Sequence, residues 1–265
     1  MILDKLTEST KRRVDEFYKN NDVDQIKSIA MQMANEESED RQFRFGKALR
    51  SYPISFICEV KKASPSKGII AEDFDYINIA KEYEKAGANT ISVLTEPEYF
   101  KGDINYLKDI SKVVDIPLLR KDFTIDEAMI YQAKLAGASG ILLICSILSD
   151  RELREFKGIA DNLGLSALVE AHDEEEVQRA LEMGAEIIGV NNRNLKDFTV
   201  DIHNSIRLRN MVDKDITFVS ESGIKNADNI KELVDNNVNA VLIGETFMRS
   251  NDKKGMLDNL LSKCI

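Results

Sequence analysis

Histidine, cysteine and positive net charge are all scarce in this chain, and each shortage removes a class of function. Only two histidines occur, His172 and His203, and no HxH or HExxH spacing joins them. A metal site would have to be built from carboxylates alone, so no metal is expected. The three cysteines, Cys58, Cys145 and Cys264, are odd in number and far apart, with neither a disulfide framework nor a zinc spacing. The formal net charge of −10 argues against binding to nucleic acid or to an anionic membrane, both of which need a basic face. It leaves room for an anionic small molecule, because screening over about 10 Å lets a local group of Lys and Arg dominate one cleft. The opening stretch MILDKLTESTKRRVDEF lacks the apolar core of a signal peptide. No apolar run approaches the roughly 20 residues that span a bilayer. A cytoplasmic setting is expected, with a monomer as the default.

Core material is ample. Hydrophobic residues make up 43% and charged residues 31%, a soluble globular balance. Short apolar, β-branched runs recur at 54–60, 90–94, 117–121, 140–144, 166–170, 186–190, 216–220 and 240–243. Their ends lie 20 to 34 residues apart, room for one helix, two loops and the next strand. The intervening segments 76–86, 126–136, 149–163 and 173–183 read as amphipathic helices, and Ser149 opens a possible capping box. Gly87, Gly137 and Gly184 each stand between a helix and a strand, where a left-handed cap is wanted. Eight strand–helix units predict an α/β fold, a parallel (β/α)₈ TIM barrel, whose usual length of about 250 residues suits this chain of 265. An open doubly wound sheet is the rival, weakened because no GxGxxG follows the first run. Residues 1–50 stand outside the repeat and read as a helical extension, with helices at 10–20 and 24–35, packed on a catalytic barrel of residues 51–265.

Barrel active sites lie at the carboxyl ends of the strands, and strand side chains alternate faces. Ile57, Glu59 and Lys61 share one face of the first run, and Leu119, Lys121 and Phe123 one face of the third. Leu168 pairs with Glu170 on the fifth, and Gly189 with Asn191 and Arg193 on the sixth. Val219 and Glu221 share a face of the seventh, and Val241, Ile243 and Glu245 of the eighth. A single charged strand end reads as a solvated loop residue; Lys62, Arg120 and Asp122 are assigned to that kind or to pairs with helix residues. Six strand ends of matching parity predict one constellation. The segment 63–68 (ASPSKG) reads as a flexible cover bearing hydroxyls and a cation. Ser222-Gly223-Ile224 and Gly244 stand where barrels commonly hold phosphate.

These motifs resemble those of the indole-3-glycerol-phosphate synthase family. Residues 59–68 (EVKKASPSKG) resemble its first-strand signature, and Leu94-Thr95-Glu96 with Phe100 and Gly102-Asp103 its second loop. LRKDF at 119–123, LVEAH at 168–172, NNRNL at 191–195, SESGI at 220–224 and LIGE at 242–245 resemble the third, fifth, sixth, seventh and eighth strand ends. Tyr99 departs from an aromatic pair often written Phe-Phe, and some members carry Ser where Glu245 stands.

The resemblance implies a carboxy-lyase of tryptophan biosynthesis, acting without a cofactor on a phosphorylated small molecule. The substrate is 1-(2-carboxyphenylamino)-1-deoxyribulose 5-phosphate; the ring closes, and carbon dioxide and water leave. Lys121 is implied as the general acid and Glu170 as the proton acceptor, with Glu59 and Lys61 assisting. Asn191 would bind a substrate hydroxyl or orient Glu170, and Glu221 would hold a lysine. Lys61 and Arg193 would grip the carboxylate and phosphate. Ser64, Ser222, Gly223 and Gly244 are phosphate candidates, and Glu245 is a further substrate-binding candidate. Phe100, Phe123, Leu142 and Leu195 would pack on the aromatic ring, with core packing as the alternative for Leu142. The rival functions are another phosphate-binding barrel enzyme, such as a sugar-phosphate isomerase or the barrel subunit of tryptophan synthase, a Schiff-base aldolase acting through Lys121, and a non-catalytic scaffold.

Overall fold

In the computed structural model, which describes residues 2–194 and 198–264, the apolar runs become strands and the amphipathic segments helices. Helices α1 (Ile2–Asn20), α2 (Val23–Glu36) and α3 (Arg44–Ala48) precede β1 (Ser55–Val60). A small hairpin, β2 (Ala63–Ser64) and β3 (Gly68–Ile69), follows β1. The repeat then runs α4 (Tyr76–Ala86), β4 (Thr90–Leu94), α5 (Ile104–Ile110), β5 (Leu118–Lys121), α6 (Glu127–Leu135) and β6 (Gly140–Ile144). It continues α7 (Asp150–Asn162), β7 (Ser166–Ala171), α8 (Glu174–Glu182), β8 (Ile187–Asn191), α9 (His203–Arg209) and β9 (Thr217–Glu221). Helix α10 (Ala227–Asp235), strand β10 (Ala240–Ile243) and helices α11 (Glu245–Arg249) and α12 (Lys253–Leu261) complete it.

Local chemistry sets the boundaries. Asp75, Asp126, Ser149 and Asp173 each accept a backbone N–H from the helix they precede, satisfying donors that a first turn leaves unpaired. Ser149 and Glu152 form the reciprocal capping box. Gly87, Gly137 and Gly184 have φ of 101°, 85° and 78°, the left-handed turn that carries each helix into the next strand. Helix α1 begins at Ile2, eight residues before the expected start.

The eight long strands close in the order β1-β10-β9-β8-β7-β6-β5-β4, all parallel, with β1 bonded to both β10 and β4. An open sheet has two edges and cannot do this. Inside, Ile57, Leu119, Leu142, Leu168, Val219 and Leu242 form a packed layer. Phe45 and Leu49, both wholly buried, join this inner cluster. A Cβ at Gly140 would sit 3.0 Å from the Phe45 ring, so a side chain there would push the ring aside. The other strand faces pack on the helices.

The eighth repeat strand corrects the sequence reading. Ala240 and Leu242 belong to the interior, whereas Val241 and Ile243 pack in the outer core. Both faces of a barrel strand are buried, so a continuous apolar run carries no parity signal. No helix among the described residues is long and apolar enough to cross a membrane.

Candidate active site

Above the inner apolar layer the interior turns polar, because the inward positions at the strand ends are occupied by acids, amines and an amide. Glu59, Glu170 and Glu221 are all at least 96% buried, at 4%, 2% and 2% exposure. Lys121 Nζ lies 2.9 Å from Glu170 Oε2 and 3.5 Å from Glu221 Oε2. Asn191 Nδ2 donates to Glu170 Oε1 at 3.3 Å. Lys61 donates to Glu59, its neighbour on the same face of the first strand. Two glycines make the room: a Cβ at Gly189 would run into the Glu221 carboxylate, and one at Gly244 into Glu59 and Lys61. Gly244, not Glu245, is therefore the inward residue after β10.

These groups face a cavity of about 590 Å³. It is lined by all five predicted catalytic residues and by Ser64, Phe100, Phe123, Leu142, Arg193, Glu221, Ser222, Gly223, Gly244 and Glu245. Leu195, the remaining candidate, lies outside the described residues. Phe100 and Phe123 stand 6.2 Å apart between ring centroids. Leu142 packs in the inner layer, its core reading, and also reaches the cavity. Ser222 and Gly223 have φ of 69° and 87°. Glu245 opens the short helix α11 and pairs with Arg249 at 3.1 Å.

Burial and charge set the protonation states. Burial alone would lower the Lys121 pKa, but Glu170, Glu221 and Glu59 outweigh it and hold the amine above its ordinary value. Burial alone would raise Glu170; Lys121 and His172, with hydrogen bonds from Lys121 and Asn191, hold it below the usual carboxylate range. For Glu221, burial together with Glu170 and Glu59 outweighs Lys121 and pushes the carboxyl up. Its Oε1 is buried without a hydrogen bond among the described residues. The site thus holds an ionised amine–carboxylate pair beside a carboxyl that resists ionisation. Such divergent environments separate acid from base roles.

For Arg120 and Asp122 the second of the two readings holds, pairing with helix residues: they are 3% and 2% exposed, and Arg13 of α1 clamps Asp122 through two bonds of 2.6 and 2.8 Å. Arg120 also donates to Asp122 at 3.3 Å and to the Met129 carbonyl at 2.6 Å. Lys62 lies 5.9 Å over the Phe74 ring. The 63–68 segment is a paired hairpin, Ala63 opposite Ile69 and Ser64 opposite Gly68.

Sequence reasoning missed Ile2, Leu3 and Leu6 of α1 and the cations Lys225 and Arg249, all of which line the cavity. The apolar spacing at 2, 3 and 6 was a usable helical signal. His172, beside Glu170, was also passed over.

Comparison with known proteins agrees with the geometry. The family model described as indole-3-glycerol phosphate synthase matches residues 3–260. The chain is 56% identical over 260 residues to the indole-3-glycerol phosphate synthase of Ruminiclostridium cellulolyticum, covering 98% of each chain. It is 51% identical over 269 residues to that of Lachnoclostridium phytofermentans, covering 99% of each. Among solved structures it resembles a 3-hexulose-6-phosphate synthase from Salmonella typhimurium, with a TM-score of 0.65 at 14% identity over 79% of this chain and 97% of that one. At that identity the likeness speaks for the fold alone. With a family match over nearly its whole length and relatives above half identical, the chain belongs to the indole-3-glycerol phosphate synthase family.

Proposed function

We propose that this chain is a carboxy-lyase that closes the indole ring of 1-(2-carboxyphenylamino)-1-deoxyribulose 5-phosphate, releasing carbon dioxide and water and leaving indole-3-glycerol phosphate. The observation that carries this reading is the buried Lys121–Glu170 pair, 2.9 Å apart, facing one cavity with the Lys61–Glu59 pair.

The reaction asks for a proton at a ketone oxygen and later for removal of one from carbon. Lys121, held protonated chiefly by Glu170, delivers the first as the ring carbon attacks the ketone. Loss of the carboxylate as carbon dioxide restores the aromatic ring. Glu170 then takes the second proton while Glu59 and Lys61 assist departure of the hydroxyl as water. Because Lys121 and Glu170 touch, the proton collected by one can reset the other. Asn191 holds Glu170 in place, and Arg193 offers the planar fork that suits a carboxylate or phosphate. Ser64 and the Ser222-Gly223 and Gly244 turns take the phosphate. Phe100, Phe123 and Leu142 pack on the aromatic ring. Holding both ends of the substrate in one cavity supplies orientation, which contributes several kcal/mol to such barriers.

A Schiff-base role for Lys121 fits less well, since an amine flanked by carboxylates stays protonated and is a poor nucleophile. Residues 1–50 are read as an extension of the one catalytic unit, because α1 contributes to the cavity wall. The reading carries with it a cytoplasmic setting and a monomer working alone on a small phosphorylated molecule.

The test is incubation of the purified protein with the carboxyphenylamino-deoxyribulose phosphate. The chain has no tryptophan, so newly formed indole stands out in fluorescence. Growth of that signal is expected; bound substrate that never yields indole would reject the reading.

A further inference from the structure

Glu170 is backed by a histidine that the ring-closing scheme does not use. His172 directly follows β7, and its backbone N–H donates to Glu176 Oε2 at 2.8 Å. Its Nδ1 lies 2.9 Å from the same oxygen. An ionised carboxylate only accepts hydrogen bonds, so Nδ1 carries a hydrogen. That leaves Nε2, which is buried and without a hydrogen bond among the described residues, 3.4 Å from Glu170 Oε1. A bare Nε2 and an ionised oxygen would repel each other, so a proton belongs between them.

The surroundings put it on the ring. Burial would lower the His172 pKa, but Glu176 on α8, Glu170 on β7 and Glu221 on β9 outweigh burial and raise it. Asn204 of α9 donates to the His172 carbonyl at 3.0 Å and fixes its backbone. His172 does not line the cavity, so it reaches the chemistry only through Glu170.

We propose that His172, clamped by Glu176, is a positioning residue: its Nε2–H fixes Oε1 of Glu170 from behind and places a positive charge beside it, leaving Oε2 to Lys121. This rests on the reading of Glu170 as the proton acceptor. A cation beside a carboxylate favours the ionised form, so its removal raises the Glu170 pKa and moves the acid limb of the rate profile to higher pH.

The experiment compares pH profiles of kcat and kcat/KM for the wild type and for His172→Leu, His172→Gln and Glu176→Gln. His172→Leu should lower kcat by about 10-fold or more, a part of the roughly 10²- to 10⁴-fold that a placed acid–base group contributes, with KM little changed. Its acid limb should move up. His172→Gln keeps a donor but no charge, so it should recover part of kcat and keep the displaced limb. Glu176→Gln should move the limb the same way by less. His172→Gln and Glu176→Gln retain polar side chains of similar size, which keeps the test open if the leucine variant misfolds. Acid limbs that coincide with wild type, or losses confined to KM, would overturn the inference while wild-type turnover left the ring-closing reading standing. Imidazole NMR of the unmodified protein gives a readout independent of turnover: a His172 ring that loses its charge below pH 6.5 would also overturn it.

Discussion

Glu170, the carboxylate proposed to accept a proton from carbon, is held as an ion, and its contacts show at what cost in basicity. Lys121, His172 and Asn191 all stabilise the charged form of Glu170. Replacing it by glutamine should cost about 10²-fold or more in kcat, the scale of general acid–base contributions, and should remove the acid limb from the pH profile. Because Glu170 is held low and Lys121 high, the pair stays ionised through neutrality, so wild-type kcat should be flat around pH 7. Gly189 offers a subtler test. A methyl there collides with the Glu221 carboxylate, so Gly189→Ala should lower turnover with a smaller effect on thermal unfolding. The strand-end residues were legible because acids and amines at alternate positions stand out against apolar runs. Gly189 as a space-maker and His172 as a support were not, since their roles depend on what lies across the barrel.

Helices and strands were readable to within a residue or two where a cap or a glycine marked them. Ser149, Asp173 and Gly184 are examples. Strand β10 was misread because four buried apolar residues give no clue to which face is which. The tie between α1 and the barrel was invisible for another reason: Arg13 and Asp122 are more than a hundred residues apart, and only the fold brings them to 2.6 Å. Burial opposes ionisation of Asp122, but Arg13 and Arg120 hold its carboxyl well below the usual range. A depressed folded-state pKa stabilises above the ordinary value of roughly 4, and that stability is lost as pH falls below it. Asp122→Ala strands the buried Arg120 charge and should cost about 3–5 kcal/mol at pH 7, measured by urea unfolding. The deficit should shrink as the pH is lowered toward 3. A deficit under 1 kcal/mol would mean that water or Thr95 satisfies Arg120 without it.

At the scale of the whole molecule, an acidic protein is asked to bind a substrate carrying a carboxylate and a phosphate. Net charge of −10 repels such a ligand at long range, while Lys61, Arg193, Lys225 and Arg249 line the cavity and, on the proposed reading, attract it there. Added salt screens both, but the short-range attraction inside a partly enclosed site is screened less. KM should therefore change only modestly between low and physiological salt, with kcat unchanged. A steep rise would show that exposed cations dominate binding. The barrel was legible because its repeat is periodic and its length fits; the convergence of its strand ends follows from closure, which no single strand records. The most direct measurement is a single turnover of Lys121→Met with the carboxyphenylamino-deoxyribulose phosphate, followed by indole fluorescence alongside equilibrium binding. The predicted result is substrate bound nearly as tightly as by the wild type and no indole formed; ring closure at a near-normal rate would contradict the assignment of Lys121 as the acid.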